Sequence, residues 1–151
     1  MTRILIQTWA ACLLLGISVA AENKPVALKV IHEDRPVLLE KFFKHYRCPE
    51  PYYIEDYLEV ADRYGLDFRL LPAISVRETT CGRFEKNNNR FGFHVERYGF
   101  TSIPGAILFM GQRIGRDPLY RGLSLTKILN RFNSREEYAD EVKALMRQID
   151  P

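Results

Sequence analysis

Glu78 is the side chain in this sequence best placed for acid–base chemistry. Leu71, Ile74 and Glu78 stand three and then four residues apart, so on a helix they share one face, and Gly82 follows where a helix commonly stops. The carboxyl group therefore points the way the core residues point. Partial removal from water disfavours the charged form of a carboxyl group and suits it to giving up a proton to a substrate. The plainer alternative is a helix-end carboxylate paired with Arg77, Arg83 or a backbone group. Other chemistries lack their residues. His32, His45 and His94 show no paired spacing and the cysteines are too few for a closed zinc site, so no metal is expected. No Gly-rich phosphate loop or Gly-x-Ser-x-Gly elbow occurs, and no cofactor is expected.

The segment after Gly82 changes character. Arg83, Glu85, Lys86, three asparagines and Arg90 are turn and loop residues, and Phe91-Gly92-Phe93 follows them. On its own this reads as a turn glycine between two core phenylalanines.

Helices must hold these pieces in place. Asp34 can cap a helix whose first turn holds Pro36 and whose apolar face is Leu38, Leu39, Phe42, Phe43 and Tyr46. Cys48-Pro49-Glu50-Pro51 stops it in a rigid turn. Ile54, Tyr57, Leu58 and Ala61 then recur at helical spacing, with Gly65 as the stop. Asp67 can cap the helix that carries Glu78, but Pro72 then falls where a backbone N–H is needed, so that helix either starts later or bends. Ser102 can cap a helix through Ile103, Ile107, Leu108, Met110 and Ile114, in which Gly105 and Gly111 mark close helix contacts. Ser124 opens another with Leu125, Ile128, Leu129 and Phe132. Ser134-Arg135-Glu136-Glu137 reads as a capping box before a last helix with Tyr138, Val142, Leu145 and Ile149 on its buried stripe. Five or six helices and little strand predict a mainly α domain over residues 36–151, after a linker or arm over 21–35.

The run Tyr64-Gly65-Leu66-Asp67, Leu70-Leu71-Pro72-Ala73-Ile74, Glu78-Thr79 and Gly82, followed by Asn87-Asn88-Asn89-Arg90-Phe91-Gly92-Phe93, resembles the lysozyme-like glycosidases of bacteria, the glucosaminidase and soluble lytic transglycosylase relatives. The resemblance extends more weakly from Leu38 to Ile149. It implies a lysozyme-like single domain with a minimal or absent β lobe. It also implies a peptidoglycan-cleaving activity in which Glu78 protonates the glycosidic oxygen, with Glu96 the best candidate for a base or electrostatic partner. Asn88, Asn89, Phe91, Gly92 and Phe93 would line the cleft, Gly92 leaving room for a sugar ring. Tyr120 would orient the carboxyl or the sugar, and is otherwise a core tyrosine. One departure stands out. Many relatives carry a tyrosine near the start of a late Tyr-Ala segment, where this chain has Phe132-Asn133-Ser134. The alternative to an enzyme is a non-catalytic module that keeps the fold and binds cell-wall glycan or an envelope partner protein.

The N-terminus fits an exported protein. Arg3, an apolar run from Ile4 to Ile17 and small residues at Ser18-Val19-Ala20-Ala21 read as a signal peptide over 1–20, the competing reading being an uncleaved anchor. A periplasmic or extracellular location follows, with no membrane span after cleavage. The net charge of +3 is mild and no long Lys/Arg run occurs, so nucleic acid is not an expected partner, while the mild positive balance suits an anionic cell-wall surface; the N-acetylated glycan partner is what the resemblance implies. Cleavage leaves Cys48 and Cys81, an even pair that invites a disulfide in an oxidising compartment, with two free thiols as the alternative.

Overall fold

The computed structural model describes residues 34–94 and 99–151. The expected signal peptide, the expected arm up to residue 33, and Val95 to Tyr98 with the candidate Glu96 lie outside the described residues. Among those described there are six α-helices and no strand, so the domain is mainly α. None of these helices is long and apolar enough to cross a membrane.

The helix α1 (Arg35–His45) begins one residue ahead of the boundary read at Pro36, with Asp34 in the cap position but making no side-chain cap bond. It buries Leu39, Phe42 and Phe43, and α2 (Ile54–Tyr64) buries Tyr57, Leu58, Val60 and Ala61. Gly65 closes α2 in a left-handed conformation at φ 63°, and the next N–H, of Leu66, reaches back to the Ala61 carbonyl at 2.9 Å.

The question of Pro72 is answered by a later start. The helix α3 (Leu70–Thr79) begins three residues after Asp67, which puts Pro72 in the first turn, where an N–H has no intrahelical partner to lose. Asp67 instead accepts the Arg69 N–H at 3.0 Å and pairs with its guanidinium at 2.8 Å. Leu70, Leu71, Ala73, Ile74 and Val76 are all buried, so this short helix runs through the core.

The helix α4 (Ile103–Arg116) is capped as read, Ser102 Oγ accepting the Gly105 N–H at 3.2 Å. Leu108, expected in its core face, is 37% exposed. Two of its glycines face α2: a Cβ at Gly111 would fall 2.0 Å from Val60 Cγ1, and one at Gly115 would fall 2.8 Å from Tyr64 Cβ, whereas Gly105, expected at a helix contact, faces its own cap residue Ser102 at 3.2 Å because it sits in the first turn. Gly111 and Gly115, one turn apart, let the helices approach backbone to side chain.

After α5 (Leu125–Phe132), the capping box at Ser134 does not form. Asn133 accepts the Arg135 N–H at 3.0 Å and α6 (Tyr138–Ile149) begins without a side-chain cap bond. The α6 helix lies antiparallel on α3. Arg77 near the end of α3 donates to Glu141 near the start of α6 at 2.7 Å, and Arg69 ahead of α3 donates to the Asp150 carbonyl beyond α6 at 2.6 Å.

Cys48 and Cys81 are bonded, with 5.5 Å between their Cα atoms. The bridge joins the turn after α1 to the turn after α3 and closes a span of 33 residues, worth about 3–4 kcal/mol in the chain-entropy account.

Candidate functional site

Glu78 is the penultimate residue of α3, where the helix leaves the core and the chain turns. Three consecutive residues with positive φ, Thr80 at 51°, Cys81 at 52° and Gly82 at 101°, reverse the chain toward the asparagine-rich loop. Thr79 holds that loop against the helix end: its hydroxyl donates to the Arg90 carbonyl at 2.7 Å and accepts the Gly82 N–H at 2.9 Å.

The Glu78 carboxylate has an unusual setting. Oε1 is buried and has no hydrogen-bond partner among the described residues, while Oε2 faces Gly92, where a Cβ would come within 3.2 Å of it. The plainer reading of an ion-paired helix end does not describe it. Arg77 Nε donates to Glu141, and Arg83 donates to the Arg47 carbonyl.

Tyr138 approaches the same carboxylate from α6. Its side chain is fully buried and its hydroxyl, like Glu78 Oε1, has no hydrogen-bond partner. Burial first, and then the neighbouring Glu78 carboxylate, push its pKa far above the tyrosine range, so it stays protonated. The two groups are near enough to feel each other's charge without meeting the geometry of a hydrogen bond. The Tyr138 ring lies parallel to Phe132, with centroids 6.0 Å apart and planes 9° apart. Tyr138, which the periodicity assigns only to the core, thus brings a hydroxyl close to Glu78 from beside Phe132. Tyr138-Ala139 is itself a Tyr-Ala pair, and that was the signal available.

The loop residues divide by what their side chains do. Asn89 is 1% exposed, donates to the Phe93 carbonyl at 2.8 Å and accepts the Phe93 N–H at 3.1 Å. Asn88 donates to the Phe100 carbonyl at 2.8 Å. Phe91 is fully buried, and Phe93 is buried against Phe109 and Phe132, with centroids at 6.0 and 6.1 Å. As a correction to the expected sugar contacts, Asn89, Phe91 and Phe93 have almost no surface to offer a ligand and instead shape the loop. Gly92 is the loop residue that reaches Glu78. Tyr120 is also buried, and its ring neighbour is the Arg113 guanidinium, at 5.9 Å from the centroid.

Arg90 was not singled out by spacing. It is nearly fully buried, pairs with Glu85 at 3.2 Å and sits 5.2 Å from the centre of the Tyr53 ring. Gly82 makes room for it: a Cβ there would lie 2.7 Å from an Arg90 guanidinium nitrogen. Its role is to brace the loop.

Among the described residues no three histidine, cysteine or acidic side chains are grouped to hold a metal ion. Two surface grooves, of about 510 Å³ beside Glu50, Tyr52 and Asp56 and about 540 Å³ beside Phe42, His45 and Gln148, do not include Glu78 in their walls. Arrangement thus favours the helix end over either groove for acid chemistry: one unpaired carboxylate, one protonated buried hydroxyl and a glycine where a side chain would intrude. Comparisons with protein-family models, with curated proteins and with solved structures find no match to this chain.

Proposed function

We propose that this is an exported, lysozyme-like glycosidase that cleaves peptidoglycan or a related N-acetylated glycan, of the endo-N-acetylglucosaminidase or lytic transglycosylase type. The observation that carries the reading is the Glu78 carboxylate, which has no ion pair among the described residues and lies near both the Tyr138 hydroxyl and Gly92. Protonated Glu78 gives its proton to the glycosidic oxygen as the bond from that oxygen to C1 breaks and the ring becomes oxocarbenium-like. The carboxylate left behind is partly buried, and a protonated hydroxyl beside it stabilises the charge. Attack on C1 by water, or by a hydroxyl of the same sugar, releases a proton that returns to Glu78. The acetamido oxygen of an N-acetylated sugar can shield C1 in between, so the reaction does not require a second carboxylate. Export rests on the leader pattern at 1–20.

The test is mass spectrometry of products after the purified protein is incubated with peptidoglycan, beside Glu78→Gln, which keeps the side chain's size but holds no transferable proton. Turnover should fall by roughly 10²-fold or more with the fold intact. Equal turnover by the two proteins refutes the assignment. Glycan binding without turnover in either protein identifies the non-catalytic module instead.

A further inference from the structure

We infer that the groove beside Phe93 is a second subsite, which takes the carboxylate-bearing peptide attached to the glycan; this rests on the glycan-cleaving reading above. The groove has a volume of about 390 Å³ and is lined by Phe109, Gln112, Arg113, Arg116, Asp117 and Pro118. Its connection to the acid is short. Gly92 touches Glu78, and the adjacent Phe93 ring carries the Arg113 guanidinium 4.8 Å from its centre. The groove wall on α4 and the turn after it, and the acid on α3, are thus joined through two adjacent loop residues, Gly92 and Phe93.

The chemistry of the wall selects the ligand. Arg113 is held between the rings of Phe93 and Tyr120, at 4.8 and 5.9 Å, so its fork is already oriented. Asp117 takes one of its nitrogens at 3.2 Å and contributes one negative charge to the groove. Arg116 lies against the Tyr64 ring at 5.0 Å, is exposed, and has no carboxylate partner among the described residues. Two guanidinium groups against one carboxylate leave the groove positive, the Gln112 amide adds donors, and Phe109 and Pro118 give an apolar wall. A short acidic peptide fits that set, carrying small apolar side chains and free carboxylates. The groove at Glu50 and Tyr52 would repel it, because Glu40, Glu50, Glu55 and Asp56 all line that one.

The free acidic tetrapeptide that an amidase releases from peptidoglycan is the probe. Titrated into the protein and followed by amide chemical shifts, it should shift Gln112 and Arg116 saturably, and Arg116→Ala should weaken its Kd by about tenfold. Arg147→Ala, in the other groove with cationic walls, should bind as the parent does. No shift at Gln112 and Arg116, unchanged affinity in folded Arg116→Ala, or a loss in Arg147→Ala overturns the assignment. The titration involves no turnover, so the two ideas fail separately. Peptide binding in a protein that cleaves no glycan keeps the groove and removes the glycosidase. Cleavage by a protein that ignores the peptide does the reverse.

Discussion

Gly92 lies against Glu78: a Cβ at residue 92 would stand 3.2 Å from Glu78 Oε2, so the carboxylate would have to give by a few tenths of an ångström, and the backbone there has φ +59°. The turn role read from the bare sequence holds, with Phe91 and Phe93 buried on either side of the glycine. Gly92→Ala should therefore cost about 1–2 kcal/mol in left-handed strain and also displace the acid. Denaturant melts should show the stability loss, and kcat/KM corrected for folded fraction should fall as well. Full activity per folded molecule would take Gly92 out of the site.

Tyr138→Phe separates a structural tyrosine from a functional one. The hydroxyl is buried and makes no hydrogen bond, so its removal should leave stability unchanged or slightly raised, within about 1 kcal/mol. Glycan cleavage should nevertheless drop by roughly tenfold or more, in kcat more than in KM, because the ionised acid loses the polar hydroxyl beside it. Unaltered kcat would assign Tyr138 to packing alone.

The ion pair between α3 and α6 gives a pH signature. The Arg77 guanidinium, hydrogen-bonded at 2.7 Å, holds the Glu141 carboxyl below its ordinary value of 4.5, and Arg135 adds to the effect. A lowered carboxylate pKa stabilises the fold above the ordinary value, and that contribution disappears as pH falls through the lowered one. Glu141→Gln should therefore melt below the parent at neutral pH, and the gap should close in acid. A gap that stays constant down to about pH 2 would show that Glu141 acts through packing rather than charge.

Reduction should be costly. With Cys48 and Cys81 both replaced by serine, stability to urea should fall by about 3–4 kcal/mol, and the oxidised parent should show no thiol when titrated unfolded. Two titratable thiols in the mature protein would contradict the bridge.

Most helices were legible in the sequence because their stripes are long and regular: Ile54, Tyr57, Leu58 and Ala61 bury as their spacing says, apart from the partly exposed Ile54. The face of Glu78 was legible for the same reason. Two kinds of information were not. Whether Asn88 and Asn89 bond a ligand or their own loop depends on the φ of single residues, 54° and 56° at Asn87 and Asn88, and any asparagine can adopt either role. Ser134-Arg135-Glu136-Glu137 matches a capping box in composition, yet Asn133 captures the Arg135 N–H first. The meeting of Tyr138 with Glu78 joins residues far apart in the chain, which periodicity along one helix cannot reveal.

The antiparallel lie of α6 on α3 has a mechanical consequence. Tyr138 sits at one end of α6, and at the other Arg69 holds the Asp150 carbonyl while Tyr46 donates to Gln148 at 2.6 Å. A helix pinned at both ends behaves as a gauge rod, whose length between pins sets where its tip falls. One residue added within α6 would advance the tip by about 1.5 Å and turn it by roughly 100°, aiming Tyr138 away from the acid while every helix remained formed. The distance of the Glu78 carboxylate from the Tyr138 hydroxyl is in that sense counted out in residues along α6, and an insertion there should be silent in circular dichroism while it parts the two groups.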